Sequence, residues 1–157
     1  MSRSGVPDAV AGGRVVVAAG RLWAGGVATA CVAALVAAVG VLFSSVMDIK
    51  LVRLPVLMKI TDSLALNYAA TAFVFALAAT GLAHLLTVTT PRPSVFFGWI
   101  VGLVTVAMMV MPFAFDASTA SKVSTALINM IIGIAIGSLL SAVLVRTVLV
   151  NAAQLRQ

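Results

Sequence analysis

Hydrophobic residues form four long runs in this chain, and charged residues are confined to the gaps between the runs. No Lys, Arg, Asp or Glu occurs within residues 22–47, 63–91, 93–115 and 123–145. A helix needs roughly 20 apolar residues to cross a hydrocarbon core about 30 Å thick, and every run reaches that length. The pattern therefore predicts an all-α membrane protein, with four transmembrane helices in an antiparallel bundle. The predicted helices cover about residues 22–47, 63–88, 94–115 and 123–150.

The segment between the first two runs has a different character. Residues 48–62 (DIKLVRLPVLMKITD) mix cationic and apolar side chains, and Pro55 interrupts any helix there. The segment is too short and too charged to cross a bilayer. We therefore expect an interfacial segment that lies on the lipid headgroups.

The predicted spans and the segments outside them divide the chain into one domain and two tails. Residues 1–20 are predicted to be a disordered N-terminal tail. Residues 21–150 form the transmembrane domain, and residues 151–157 form a polar C-terminal tail. Pro91 and Pro93 mark a very short connection between the second and third helices, which predicts a tight antiparallel hairpin.

Composition supports this class and narrows the partners. Hydrophobic residues make up 62% of the chain and charged residues 9%, against about 25% charged in soluble proteins. The net charge of +6 comes from cations scattered singly, so the sequence predicts no nucleic-acid partner and favours the lipid bilayer.

The distribution of cations predicts the orientation. With four spans, both termini lie on one side, where six Lys or Arg residues fall, against four on the other side. An excess of such residues is typical of the cytoplasmic side. We expect a bacterial inner (plasma) membrane protein with both termini in the cytoplasm.

A stripe of small and polar residues runs along the fourth helix at every fourth position, which places them on one face. Its members are Thr125, Asn129, Gly133, Gly137 and Ser141. The stripe suits either close helix packing, within one bundle or between copies, or a polar path through the membrane. Gly98 and Gly102 form a second Gly-x-x-x-Gly pair on the third helix, which is expected to face the first pair.

Two further sets of polar residues are candidate sites. His84 is the only ionisable residue well inside a predicted span, where such residues are costly and often functional; a neutral histidine bonded to a carbonyl is the alternative. Asp48, Asp62, Asp116 and Asn67 all fall at the opposite end from the termini. Together they would form an outer mouth that attracts cations, unless they only cap helix ends.

The sequence contains no recognisable catalytic, metal or cofactor motif. It therefore predicts a protein without a cofactor and without enzymatic activity. We expect a structural or accessory component that associates with itself or with other membrane proteins. The alternative is a small oligomeric channel or transporter with a polar path along the fourth helix.

Several local sequences carry a family resemblance. They are the run from Arg21 to Gly26, the PRP–SVFFGWI segment from Pro91 to Ile100, Pro112-Phe113, and Asn129 with the segment Ile132–Gly137. Together they resemble an uncharacterised family of small bacterial four-helix membrane proteins of unknown function. The resemblance covers about residues 21–146 and implies four spans, with no particular activity.

Overall fold

The computed structural model describes residues 7–90 and 92–154, and the side chains of residues 20–90 and 92–146. The described residues form four α-helices and contain no β-strand. The helices are α1 (Pro7–Val46), α2 (Leu64–Thr89), α3 (Pro93–Val110) and α4 (Thr119–Gln154), and a 3₁₀ turn at Met111–Ala114 follows α3. The predicted all-α bundle of four helices is confirmed.

All four helices are long and apolar enough to cross a membrane. The qualifying segments are Gly20–Val46, Leu64–Thr89, Pro93–Ala114 and Thr119–Arg146. They agree closely with the charge-free runs of the sequence. The chain is therefore a multi-pass membrane protein.

Two helices extend beyond these segments. Helix α1 begins at Pro7, so the structure has a helix where residues 7–20 were expected to be disordered, and residues 1–6 lie outside the described part. Proline is favoured at the first position of a helix, and no later proline interrupts α1. Helix α4 continues to Gln154; residues 155–157 of the predicted C-terminal tail lie outside the described part.

The two ends of the bundle differ. We call the end where α1 and α4 lead to the chain termini the terminal end, and the opposite end the cap end. Trp23 and Trp99 both lie near the terminal end, and they are 43% and 70% exposed. Tryptophan is enriched at the membrane–water interface, so this position is consistent with an interfacial anchor.

In the described part of the chain, the apolar core consists of two clusters that are formed by different helices. The cap-end cluster joins α1, α2, α4 and the connection after α1, and its described members include no residue of α3: Ala30, Ala33, Ala37, Val41, Leu51, Tyr68, Ala72, Ala76, Ile128 and Ile136. The terminal-end cluster does include α3: Leu22, Ala83, Phe97, Leu140 and Leu144. Helix α3 therefore enters the buried core only near its beginning.

Helices α2 and α3 separate toward the cap end. Helix α3 packs mainly on α4, whereas α2 packs mainly on α1. In the most apolar stretch of α3, only 6% of the residues are buried, against 33% in that of α2. The short α2–α3 connection is present as expected, but the two helices pack on each other less than α2 packs on α1 and less than α3 packs on α4. The short connection and the buried cluster that includes Ala83 and Phe97 hold the terminal ends together, and glycines on α4 then let α3 approach α4 instead.

The connection between α1 and α2 folds over the cap end, and we call residues 49–62 the cap loop. Leu51, Val52 and Leu54 are buried, while the neighbouring cations Lys50, Arg53 and Lys59 are exposed. The cap loop thus packs on the bundle with part of its apolar surface, rather than lying wholly on the headgroups. Pro55 explains the difference in part, since it prevents a helix with one continuous lipid-facing stripe.

Side chains of α2 and α4 hold the backbone of the cap loop in place. The Val52 N–H donates to Thr125 Oγ1 over 3.0 Å, and the Tyr68 hydroxyl donates to the Val52 carbonyl over 3.3 Å. Both backbone polar groups of the buried residue Val52 are therefore satisfied. Buried backbone outside a helix requires such partners from other parts of the protein.

The first turns of α2 secure the second half of the cap loop. The Asn67 side-chain oxygen accepts hydrogen bonds from the N–H groups of Ile60 and Thr61, at 2.9 and 3.0 Å, and its amide donates to the Thr61 carbonyl at 2.8 Å. One turn later, Thr71 Oγ1 accepts from the Met58 N–H at 2.9 Å. The cap loop is therefore an ordered part of the bundle.

Candidate functional site

The polar members of the α4 stripe point to different neighbours. Thr125 is fully buried, donates to the Ser121 carbonyl over 2.7 Å and accepts from the cap loop. Asn129, one turn further, bonds to α3. Ser141 is half-buried near the terminal end. Thr125 and Asn129 are therefore occupied by backbone groups of the protein itself.

Asn129 completes the hydrogen bonding of a proline-interrupted helix. Its side-chain amide donates to the Met108 carbonyl over 2.9 Å. Met108 lies four residues before Pro112, and proline has no N–H to donate to that carbonyl. Pro112 is fully buried, so Asn129 supplies the donor that the helix lacks. This bond joins α3 to α4 where α3 gives way to the 3₁₀ turn.

The two glycines of the stripe form the surface of α4 that contacts α3. We call this contact the α3–α4 seam. A Cβ atom at Gly133 would overlap the side chain of Thr105, and one at Gly137 would lie 3.3 Å from Val101 Cγ1. Thr105 therefore fits only because residue 133 has no side chain. Small residues permit this close approach of membrane helices.

Gly98 and Gly102 do not face this seam, contrary to expectation. A Cβ atom at either position would have no neighbouring atom within 4 Å, and both residues are exposed. Because successive residues turn by about 100° around a helix, the contact line through Val101 and Thr105 leaves these glycines on one flank of α3. We call the exposed surface at Gly98 and Gly102 the outer flank.

A groove opens on the other flank of α3, between α3 and α2. Its volume is about 260 Å³, Leu54 and Leu57 of the cap loop form its roof, and Gly133 of α4 lies in its floor. Val104 in its wall is 45% exposed, so the groove opens sideways toward the surrounding membrane. Along α2 it extends from Tyr68 to Leu82, or about 21 Å at 1.5 Å per residue.

The groove is suited to hydrocarbon. Its lining is apolar except for Tyr68, Thr71, Thr105 and Asn129. Each of these four side chains is hydrogen-bonded to backbone: Thr71 donates to the Asn67 carbonyl and Thr105 to the Val101 carbonyl, both over 2.7 Å, and the other two bond as described above. Buried polar groups that are already paired offer little to a polar ligand.

His84 lies apart from the groove. It is half-buried on α2, about one turn before the end of that helix, and it does not contribute to the groove lining. The Thr87 hydroxyl donates to its backbone carbonyl over 2.6 Å. Within the described residues, no three His, Cys, Asp or Glu side chains are grouped so that they could hold a metal ion.

The residues of the expected outer mouth all lie at the cap end. The amide of Asn67 is bonded to the cap loop, as described above. Asp48, Asp62 and Asp116 are exposed and lie at three separate helix boundaries: after α1, before α2 and after the 3₁₀ turn. A shared mouth that attracts cations at this end therefore stays a prediction.

Sequence reasoning missed the partners of these residues. The sequence does indicate that the carbonyl four residues before Pro112 lacks its helical donor. Asn129 is the only amide residue of the predicted fourth span, so the hydrogen bond between Asn129 and Met108 could have been predicted. The roles of Thr71 and Tyr68 had none, because they depend on the path of an irregular loop. Thr105 became identifiable only once α3 was placed against α4.

Comparison with known proteins gives a family and no relative of known activity. No curated protein and no solved structure matches the chain. A family model does match, over residues 17–150, which includes all four transmembrane segments, the cap loop and the α3–α4 seam. The expected relationship to an uncharacterised family is thereby confirmed: the chain belongs to DUF6069, a family of unknown function.

Proposed function

We propose that this protein is a non-enzymatic component of the bacterial plasma membrane that associates with a second copy of itself through the outer flank of α3. The observation that carries the proposal is the exposure of Gly98 and Gly102, one helical turn apart, with no atom within 4 Å of a Cβ at either position. A glycine pair at this spacing lets a second helix approach closely, and van der Waals contact then drives association in lipid.

The low burial of α3 supports the same surface. Within its own bundle α3 is the least buried of the four spans. In its most apolar stretch 6% of the residues are buried, against 22% in that of α4. Its exposed surface includes Val95 and Val106, which lie near the two glycines on a helical wheel. These valines would pack beside the glycine contact in a symmetric dimer.

The polar groups support a non-enzymatic role. The polar side chains that line the groove are Tyr68, Thr71, Thr105 and Asn129, and each is hydrogen-bonded to a backbone group. A channel path along α4 is the alternative function. It has weaker support, because opening it would break these bonds and displace Thr105 from Gly133.

The proposed orientation follows the cations. Arg21, Arg92 and Arg146 lie exposed at the terminal end, which we assign to the cytoplasmic side on the positive-inside rule. The cap loop then lies at the external surface.

The association is tested by replacing both outer-flank glycines, Gly98→Leu with Gly102→Leu. We expect the dimer fraction in lipid vesicles, counted by single-molecule photobleaching of a labelled chain, to fall with about a tenfold weaker association. Gly81→Leu is the matched control, since Gly81 on α2 also has open space at its Cβ position, and it should leave the dimer fraction unchanged. An unchanged dimer fraction in the outer-flank variant, or a monomeric parent chain, would contradict the proposal.

A further inference from the structure

A second pocket lies at the cap end, and none of its lining residues lines the groove. Its volume is about 540 Å³, and it is bounded by the end of α1, the beginning of α2 and the first residues of the cap loop. Val41, Leu51 and Leu64 provide apolar walls, and Asp48, Lys50 and Arg53 provide charge. We call it the cap pocket.

The cap pocket combines two cations and one anion on an apolar base. Asp48, Lys50 and Arg53 are all exposed, and none of the three side chains has a hydrogen bond or ion pair within the described part of the chain. Their charges are therefore available to a ligand. A site of this composition matches a ligand with a phosphate for the cations, an ammonium for the carboxylate, and an apolar tail for the base.

The backbone at Asp48 adds a reason to assign its carboxylate a role. Asp48 has φ of 54° and is the only non-glycine residue with positive φ in the described backbone. It ends α1 in a Schellman arrangement, in which the Asp48 N–H donates to the Ser45 carbonyl over 3.2 Å and the Ile49 N–H donates to the Ser44 carbonyl over 2.9 Å.

Glycine is the residue that this position favours. It adopts positive φ without the steric cost that a Cβ atom imposes. The Asp48 carboxylate has no structural role in this helix end, since the two hydrogen bonds that close the end are formed by backbone atoms alone. A residue held in an unfavourable conformation motivates a functional hypothesis.

The position in the membrane identifies the class of ligand. The cap pocket lies where the transmembrane segments of α1 and α2 end, at the level of the lipid headgroups. From these features we infer that the cap pocket binds phosphatidylethanolamine. Lys50 and Arg53 bind its phosphate, Asp48 accepts hydrogen bonds from its primary ammonium, and the apolar walls contact the glycerol and the first methylenes.

The charge pattern distinguishes this lipid from the other common classes. Phosphatidylcholine has the same phosphate, but its quaternary ammonium has no N–H to donate to Asp48. Phosphatidylglycerol lacks the ammonium altogether. Each lost charge-assisted hydrogen bond is expected to weaken binding by about tenfold.

The test is native mass spectrometry of the purified full chain, with the three lipids offered separately and with identical acyl chains. We expect phosphatidylethanolamine to be retained about tenfold more than phosphatidylcholine. Lys50→Gln with Arg53→Gln should reduce the retention of phosphatidylethanolamine by about a hundredfold, to below the level at which the parent chain retains phosphatidylcholine. Lys59→Gln is the matched control, an exposed cation of the same loop outside the cap pocket, and should retain the parent preference.

Asp48→Gly separates binding from folding. It removes the carboxylate while relieving the left-handed backbone, so we expect thermal stability to be unchanged or higher and the preference for phosphatidylethanolamine over phosphatidylcholine to disappear. Equal retention of the two lipids by the parent chain would overturn the assignment, as would a preference that survives in Asp48→Gly.

The source of the headgroup is tested with soluble phosphoethanolamine. This molecule has the same charges but no tail for the apolar walls, so we expect no retention at the concentration at which the lipid is retained. Retention equal to that of the lipid would show that the cap pocket recognises a free headgroup and would overturn its assignment to a lipid.

Discussion

Gly133→Leu is expected to separate α3 from α4 and to destabilise the bundle by about 2–3 kcal/mol, the upper range for overpacking a close contact. The physical reason is the overlap of any Cβ atom at residue 133 with the Thr105 side chain. Helix α3 has little other burial to hold it, since it enters the core mainly through Phe97. The measurement is the free energy of unfolding in detergent micelles, with the compactness of the folded state checked by gel filtration.

Gly81→Leu is the matched control for this substitution. It makes the same change on α2, at a residue outside the outer flank whose Cβ position has no atom within 4 Å. We expect its stability to equal or exceed that of the parent chain, because glycine costs up to about 1 kcal/mol in a helix interior. Equal losses for both variants would show that Gly133 is not a close-contact position.

Asn129→Leu is expected to lower the free energy of unfolding by about 0.5–2 kcal/mol, the range for a lost interhelical hydrogen bond between membrane helices. Leucine is similar in size to asparagine, so the main change is the loss of the donor to the Met108 carbonyl. Since Pro112 cannot supply an N–H, that carbonyl is left without its partner. The loss is measured by reversible unfolding in mixed micelles.

A double-mutant cycle with Pro112→Ala identifies the cause of this loss. The alanine introduces an N–H four residues after Met108, where a continued helix would donate to the same carbonyl. We therefore expect Asn129→Leu to cost clearly less in the Pro112→Ala background, with a coupling energy of at least about 0.5 kcal/mol. The same cost in both backgrounds would mean that Asn129 does not compensate for the proline.

The four crossings were predictable because they depend on local composition. Lipid excludes charge, and each span must be long enough to cross the hydrocarbon, so the positions of Asp48, Asp62, Arg92 and Lys122 nearly fix the boundaries of the spans. The extension of α1 back to Pro7 was missed, because helix beyond the membrane follows from capping and helix propensity rather than from hydrophobicity.

The arrangement of the helices was not predictable in the same way. All four helices are apolar around most of their circumference, so hydrophobic periodicity gives no core-facing stripe to orient them. Gly133 and Gly98 are indistinguishable in sequence as members of Gly-x-x-x-Gly pairs, yet the first is covered by Thr105 and the second is open. Only the placement of α3 against α4 separates a seam within the bundle from a surface available to a partner.

The cap loop shows a similar limit at the candidate sites. The sequence reveals Lys50, Arg53 and Pro55, and these exclude a membrane crossing. It does not reveal that Thr125, seventy-three residues away from Val52, holds the loop against the bundle. The cap pocket and the roof of the groove both depend on that path, so neither was visible in the order of residues.

The separation of α3 from α2 is the central feature of this structure, since it creates the groove and leaves α3 packed mainly on α4. It is tested most directly by disulfide formation between paired cysteines in the Cys31→Ala background, since Cys31 is the chain's one cysteine. One pair, Val101→Cys with Gly137→Cys, spans the α3–α4 contact; the other, Ala78→Cys with Val104→Cys, spans the groove. A disulfide requires Cβ atoms about 3.5–4.5 Å apart. On mild oxidation in membrane vesicles, we expect the first pair to crosslink within one chain and the second pair to remain reduced. Equally rapid crosslinking across α2 and α3 would contradict the open arrangement.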